Sequence, residues 1–149
     1  MKNIDITISN NHSAYAVDNS IIKNIIKFVI SQERYEVNSI SIIITSDEKL
    51  NVLKKRYFNQ DLLTDTISFN LNEPDQPVEG EIYLSLDRIF DNARKYNITP
   101  EEEFARVIIH SILHTLGYED NIAEEKREMF KRQDNYLNDV NWQGILKKD

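Results

Sequence analysis

Apolar and polar residues alternate strictly over residues 3–9 (Asn-Ile-Asp-Ile-Thr-Ile-Ser), which is the two-residue period of a half-buried strand. Beyond a turn-like cluster at Asn10-Asn11-His12-Ser13 the period lengthens. Ile21, Ile22, Ile25, Ile26, Val29 and Ile30 recur at helical spacing and predict an amphipathic helix over 19–33, despite its many β-branched residues. The isoleucine-rich run Val37–Thr45 predicts a second, central strand. Ser46 then caps a helix with Leu50, Leu53 and Tyr57 on one face and Lys54, Lys55 and Arg56 beside them. A third strand is expected over Thr64–Leu71, a proline-bearing loop over Asn72–Glu79, and a fourth strand over Gly80–Ser85.

Helical spacing returns at Leu86, Ile89, Phe90 and Ala93 and ends near Tyr96. Thr99-Pro100-Glu101-Glu102 is a helix start: a hydroxyl N-cap, proline at the first helical position, and a carboxylate at the third. The helix it opens runs to Leu116. Phe104, Ile108, Ile109, Ile112, Leu113 and Leu116 cover more than half its circumference and mark it as a central element, with His110, His114 and, two turns upstream, Glu103 on the remaining stripe. A last helix, about Ile122–Leu137, carries the mixed charges of a solvated surface. No internal repeat or linker interrupts the pattern. The reading is a single α+β domain over 1–138, a mixed sheet of about four strands packed with about five helices, followed by a tail, 139–149, expected to be partly disordered around its anchor Trp142.

Composition narrows the chemistry. With 149 residues the chain suits one domain with a proper core, and with no cysteine any metal must be held by nitrogen and oxygen. A formal charge of −7 argues against indiscriminate binding to nucleic-acid phosphate, while leaving room for a local basic patch. The N-terminal residues lack the apolar core of a signal peptide and no later run reaches the length of a membrane span, so a soluble cytoplasmic protein is expected.

Two of the three histidines stand four residues apart in the central helix, about 40° from one another around its axis. Both imidazoles project from one stripe. Gly117 supplies a left-handed residue to end the helix, so that the chain can fold back and bring Glu119 or Asp120 to that stripe. The H-x3-H-x2-G-x2-D arrangement thus predicts a three-ligand site at the C-terminal end of the helix, formed by His110, His114 and Asp120, with an open position for water and zinc as the expected ion; other divalent transition metals are admissible. A competing role for Asp120 is to cap the helix that follows. The H-E-x-x-H proteases carry their general base directly after the first histidine; here that position is Ser111, which disfavours a small zinc metallopeptidase. Thr64 and Ser68 are expected to shape a strand rather than act as nucleophiles, and His12 to be a turn histidine.

The segment His110-Ser-Ile-Leu-His114-Thr-Leu-Gly117-Tyr118-Glu-Asp120 resembles the H-G-x-L-H-L-x-G-Y-D-H signature of the YbeY proteins. Further matches follow in order at Leu50-Asn51, Tyr57, Thr64-Asp65-Thr-Ile-Ser68-Phe69, Gly80-Glu-Ile-Tyr-Leu-Ser85, Met129 and Tyr136-Leu137, so the resemblance spans nearly the whole chain. It implies a metal-dependent endoribonuclease acting on single-stranded RNA, in small-subunit rRNA 3′-end processing and ribosome quality control, with the ribosome or small-subunit assembly proteins as partners and no membrane or DNA partner. Three positions depart from the family pattern. Asp120 stands for the third histidine ligand, Phe58 for an arginine expected to hold phosphate, and Glu81 for an aspartate. Arg56 is therefore assigned as the electrostatic stabiliser, with Lys55 its neighbour. The rival reading from another class is a ribosome-assembly factor with a structural metal and little or no cleavage.

Overall fold

A computed structural model describes residues 3–148, which leaves Met1, Lys2 and Asp149 outside it. In chain order the elements are β1 (Asp5–Asn10), β2 (Tyr15–Val17), α1 (Asn19–Glu33), β3 (Val37–Thr45), α2 (Asp47–Phe58), β4 (Thr66–Asn70), β5 (Val78–Ser85), α3 (Leu86–Tyr96), α4 (Pro100–Thr115), α5 (Ala123–Asp139) and β6 (Leu146–Lys148). β1, β3 and β5 run parallel and β4 joins β5 antiparallel, in the order β1-β3-β5-β4. The isoleucines of β3 explain its place between two parallel neighbours: Ile40, Ile42 and Ile44 are all buried. The expected α+β domain, with five helices and a mixed four-stranded sheet, is the one observed.

α4 is the hub. It packs against α1, α3, α5, β4 and β5. Phe104, Ile108, Ile109, Ile112 and Leu113 lose all their exposure there. Its start is the one the sequence encodes, with Thr99 Oγ1 accepting from the Glu102 N–H at 3.2 Å and Pro100 opening the first turn. Its end is a Schellman turn. The Gly117 N–H donates to the His114 carbonyl and the Tyr118 N–H to the Leu113 carbonyl, each at 3.0 Å, with Gly117 at φ +112°. That end is pressed onto the sheet at Gly80 of β5, where a Cβ would meet Ile40 Cδ1 at 2.7 Å and Thr115 Cγ2 at 2.8 Å. Only a residue without a side chain allows the helix to come so close.

The tail differs from expectation. Ile145 is fully buried, its carbonyl accepts from the Asp18 N–H at 2.9 Å, and β6 pairs antiparallel with β2 in a second, two-stranded sheet. Partial disorder of 139–149 is thus corrected as far as the described residues go, because Ile145, one short step beyond Trp142, supplies a core contact. β5 begins at Val78, paired with Val37, so the preceding loop is shorter than Asn72–Glu79. Among the described residues no helix is long and apolar enough to cross a membrane.

Candidate metal centre

Helical geometry puts the two imidazoles side by side, ring centroids 4.6 Å apart and nearly perpendicular. Each is tied back through Nδ1. His110 Nδ1 hydrogen-bonds Gln133 Oε1 at 2.7 Å, and His114 Nδ1 lies 3.0 Å from the Tyr118 carbonyl oxygen. A carbonyl can only accept, so His114 Nδ1 carries the proton and its Nε2 offers a lone pair. The backbone that closes α4 therefore also orients an imidazole on it.

Gly117 turns the chain back so that Asp120 Oδ2 lies 3.5 Å from His114 Nε2 and 4.0 Å from His110 Nε2. The three donor atoms all fall within 4.8 Å of one another. Neighbouring ligands on tetrahedral zinc, with bonds of about 2.0–2.1 Å, stand roughly 3.4 Å apart. The two separations from Asp120 are near that, and two imidazole nitrogens with a carboxylate oxygen form a donor set that can hold a divalent metal ion. Burial, and next the electrostatic effect of the neighbouring imidazole of His114, push the pKa of His110 down, which keeps its nitrogen available to a metal. Asp120 does not cap α5: the N-cap position is Ile122, and no side chain bonds there.

Support for the site comes from residues the sequence reading passed over. Gln133 is 1% exposed and faces inward from α5 beside Met129. The signal was present, as a polar residue one turn beyond a buried methionine on an otherwise solvated helix. The side chain of Glu33, at the end of α1, is 2% exposed. Its carboxylate lies where the helix dipole opposes a negative charge, and it is offset by the Tyr118 hydroxyl at 2.6 Å, the Arg132 guanidinium at 3.1 Å and the Tyr136 hydroxyl. Tyr118 is thereby held at both ends, its phenol by Glu33 and its carbonyl by His114. Glu103 does lie on the histidine stripe, but it is fully buried and chelates Arg106 through two bonds of 2.7 Å.

Around the donors opens a cleft lined by Lys54, Phe58, Thr64–Ser68, His110, His114 and Tyr118–Asn121. Asp65 belongs to it; burial pushes its carboxyl up, against the charges of Arg106 and Arg88. Arg56 does not belong to it. It is exposed on α2, whereas Lys54, two positions earlier and so on a different face of the helix, reaches the cleft. Lys55 pairs with Asp61 at 3.6 Å. Ser111 is buried, donating to the Val107 carbonyl and bonded to Thr66 Oγ1, each at 2.7 Å, so no base stands beside the first histidine. His12 sits in its turn and bonds Asp87 of α3 at 2.8 Å.

Comparison with known proteins agrees with this geometry. A sequence model described as Endoribonuclease YbeY matches residues 5–141. A protein of that name from Chlorobaculum tepidum is 37% identical over 127 residues, covering 85% of this chain and 92% of its own. Another, from Amoebophilus asiaticus, is 39% identical over 117 residues, covering 78% and 80%. A solution structure from Thermotoga maritima superposes with a TM-score of 0.65 at 29% identity, covering 91% of this chain and 88% of that one. On this match over nearly its whole length, the chain belongs to the YbeY endoribonuclease family.

Proposed function

We propose that the protein is a metal-dependent endoribonuclease that cuts single-stranded RNA in rRNA maturation, including small-subunit 3′-end processing and ribosome quality control, in the cytoplasm and in contact with ribosomal or assembly proteins. Family membership supports the activity. The observation that carries the site is the pair of imidazoles whose Nδ1 atoms are engaged and whose Nε2 atoms converge with Asp120. His110, His114 and Asp120 would hold the ion, with zinc favoured by the nitrogen-rich, sulfur-free donors. When bound, the ion supplies Lewis-acid stabilisation of charge developing on phosphoryl oxygen. Lys54, which lines the cleft, takes the electrostatic role that the sequence alone assigned to Arg56. Gln133 and Tyr118 keep the ligands in one tautomer and orientation.

The test is metal content and RNA cleavage of untagged protein, wild type against Asp120→Ala. About one zinc per chain, strongly weakened in the variant, with cleavage of single-stranded RNA lost to chelator and restored by zinc, is the expected result. Absence of bound metal after zinc is supplied overturns it. Metal binding and ribosome co-sedimentation without any cleavage would instead support the assembly factor.

A further inference from the structure

Facing the donor trio, the cleft is walled by the last turn of α2 and by β4, and the trio makes no use of what this wall displays. Phe58 lines the cleft yet stays 43% exposed. Its ring is backed rather than free: it stacks on Phe69 at 6.0 Å and 22°, and Tyr57 and Tyr83 brace Phe69 edge-on at 5.5 and 6.3 Å. Lys54 Nζ lies 4.5 Å from the centre of the Phe58 ring and forms no ion pair among the described residues. Ser68 Oγ, on the same cleft, is buried without a hydrogen-bond partner. An aromatic face, a cation resting against it and an unanswered hydroxyl are the three groups that meet a nucleotide's base, phosphate and ribose.

We propose that Phe58 and Lys54 form a nucleotide subsite, in which an unpaired base of the RNA stacks on Phe58, Lys54 moves from the ring to the adjoining phosphate, and Ser68 Oγ bonds a phosphate or ribose oxygen. The inference rests on the ribonuclease reading above and adds the source of its strand selectivity. A base in a duplex has both faces covered by its neighbours and cannot stack on a protein ring, so the subsite admits single strands. The net charge of −7 points the same way. A chain with no general attraction for polyanions must take its affinity from local contacts, and stacking is such a contact. The Lys54 cation–π contact is weak at an exposed ring and is readily exchanged for a phosphate.

Binding of a fluorescein-labelled 12-nucleotide oligouridylate to metal-free protein, followed by anisotropy over a range of salt, tests this with four variants. Phe58→Ala is expected to weaken binding about 5- to 150-fold, leaving the salt dependence unchanged. Phe58→Leu, which keeps the bulk but loses the aromatic face, behaves like Phe58→Ala, and Phe58→Trp restores binding. Lys54→Gln weakens binding and flattens the plot of log K against log salt by about 0.7. Zinc content stays at the wild-type level in all four. Wild-type affinity in the Phe58→Ala or Phe58→Leu variant overturns the subsite, as does an unchanged salt slope in Lys54→Gln. A wild-type protein that binds zinc but no single-stranded RNA, with or without the metal, overturns the ribonuclease reading itself.

Discussion

Behind the imidazoles, buried polar groups are answered: Gln133 is 1% exposed and bonded to His110, and the Glu33 side chain is 2% exposed and takes three donors. Across the cleft, Phe58 stands 43% exposed and Ser68 Oγ has no partner, and in the loop after α2 Leu62 and Leu63 are 46 and 51% exposed. The first arrangement stores stability in satisfied low-dielectric contacts, where each lost partner is expensive. The second forgoes burial and leaves groups whose partner has yet to arrive. A ligand-holding wall must be rigid to within a fraction of an ångström, whereas a wall that receives a flexible polymer gains from being open.

The contrast can be broken first at Glu33. Glu33→Ala leaves two phenols and a guanidinium without their common acceptor, and should cost about 2–4 kcal/mol, less than a fully buried pair because Arg132 can rehydrate. Urea unfolding measures it, and a loss no larger than that of a surface substitution would erase the distinction between the walls. The same cluster has a pH signature. Burial, and then the bond to Glu33, pushes the Tyr136 phenol up from 10 to about 12, and Tyr118 is raised by the same causes. A raised pKa means stability fully present below pH 10 and lost as pH rises through about 12, so wild-type stability should fall over that window more steeply than that of Glu33→Ala.

Gln133→Leu tests the same wall at the metal. It removes the acceptor on His110 Nδ1 and should lower metal affinity about 10- to 100-fold, read by competition with a chromogenic chelator. Unchanged affinity would mean that the bond does not orient the ligand. The smallest effect is expected in the exposed loop after α2, where Leu62→Ser should alter unfolding free energy by no more than about 0.5 kcal/mol. A larger loss would reveal hidden packing there.

Much of this was legible because it is local. The Thr99-Pro100 start, the helical spacing of α1 and α4, the isoleucines of β3 and the His110, His114, Gly117, Asp120 series all follow from contacts within a few turns or one strand. What escaped was set by distant partners. β2 and β6 are three residues each, too short for a period to register, and they exist because residues 15–17 meet residues 146–148. Arg56 and Lys54 are chemically alike in sequence, and only the rotation of α2 against β4 puts one on the cleft and the other in water. Glu33 reads as an ordinary helix-terminal acid until α5 is folded over it.

The donor trio lies wholly between residues 110 and 120, joined by one helical turn and the Schellman reversal. Bringing together three groups from so short a stretch costs less chain entropy than drawing them from distant segments. An ion held by the proposed trio would favour the very reversal that seats α4 on Gly80. A metal bound at the proposed site would then add to the stability of the folded chain as well as serve turnover.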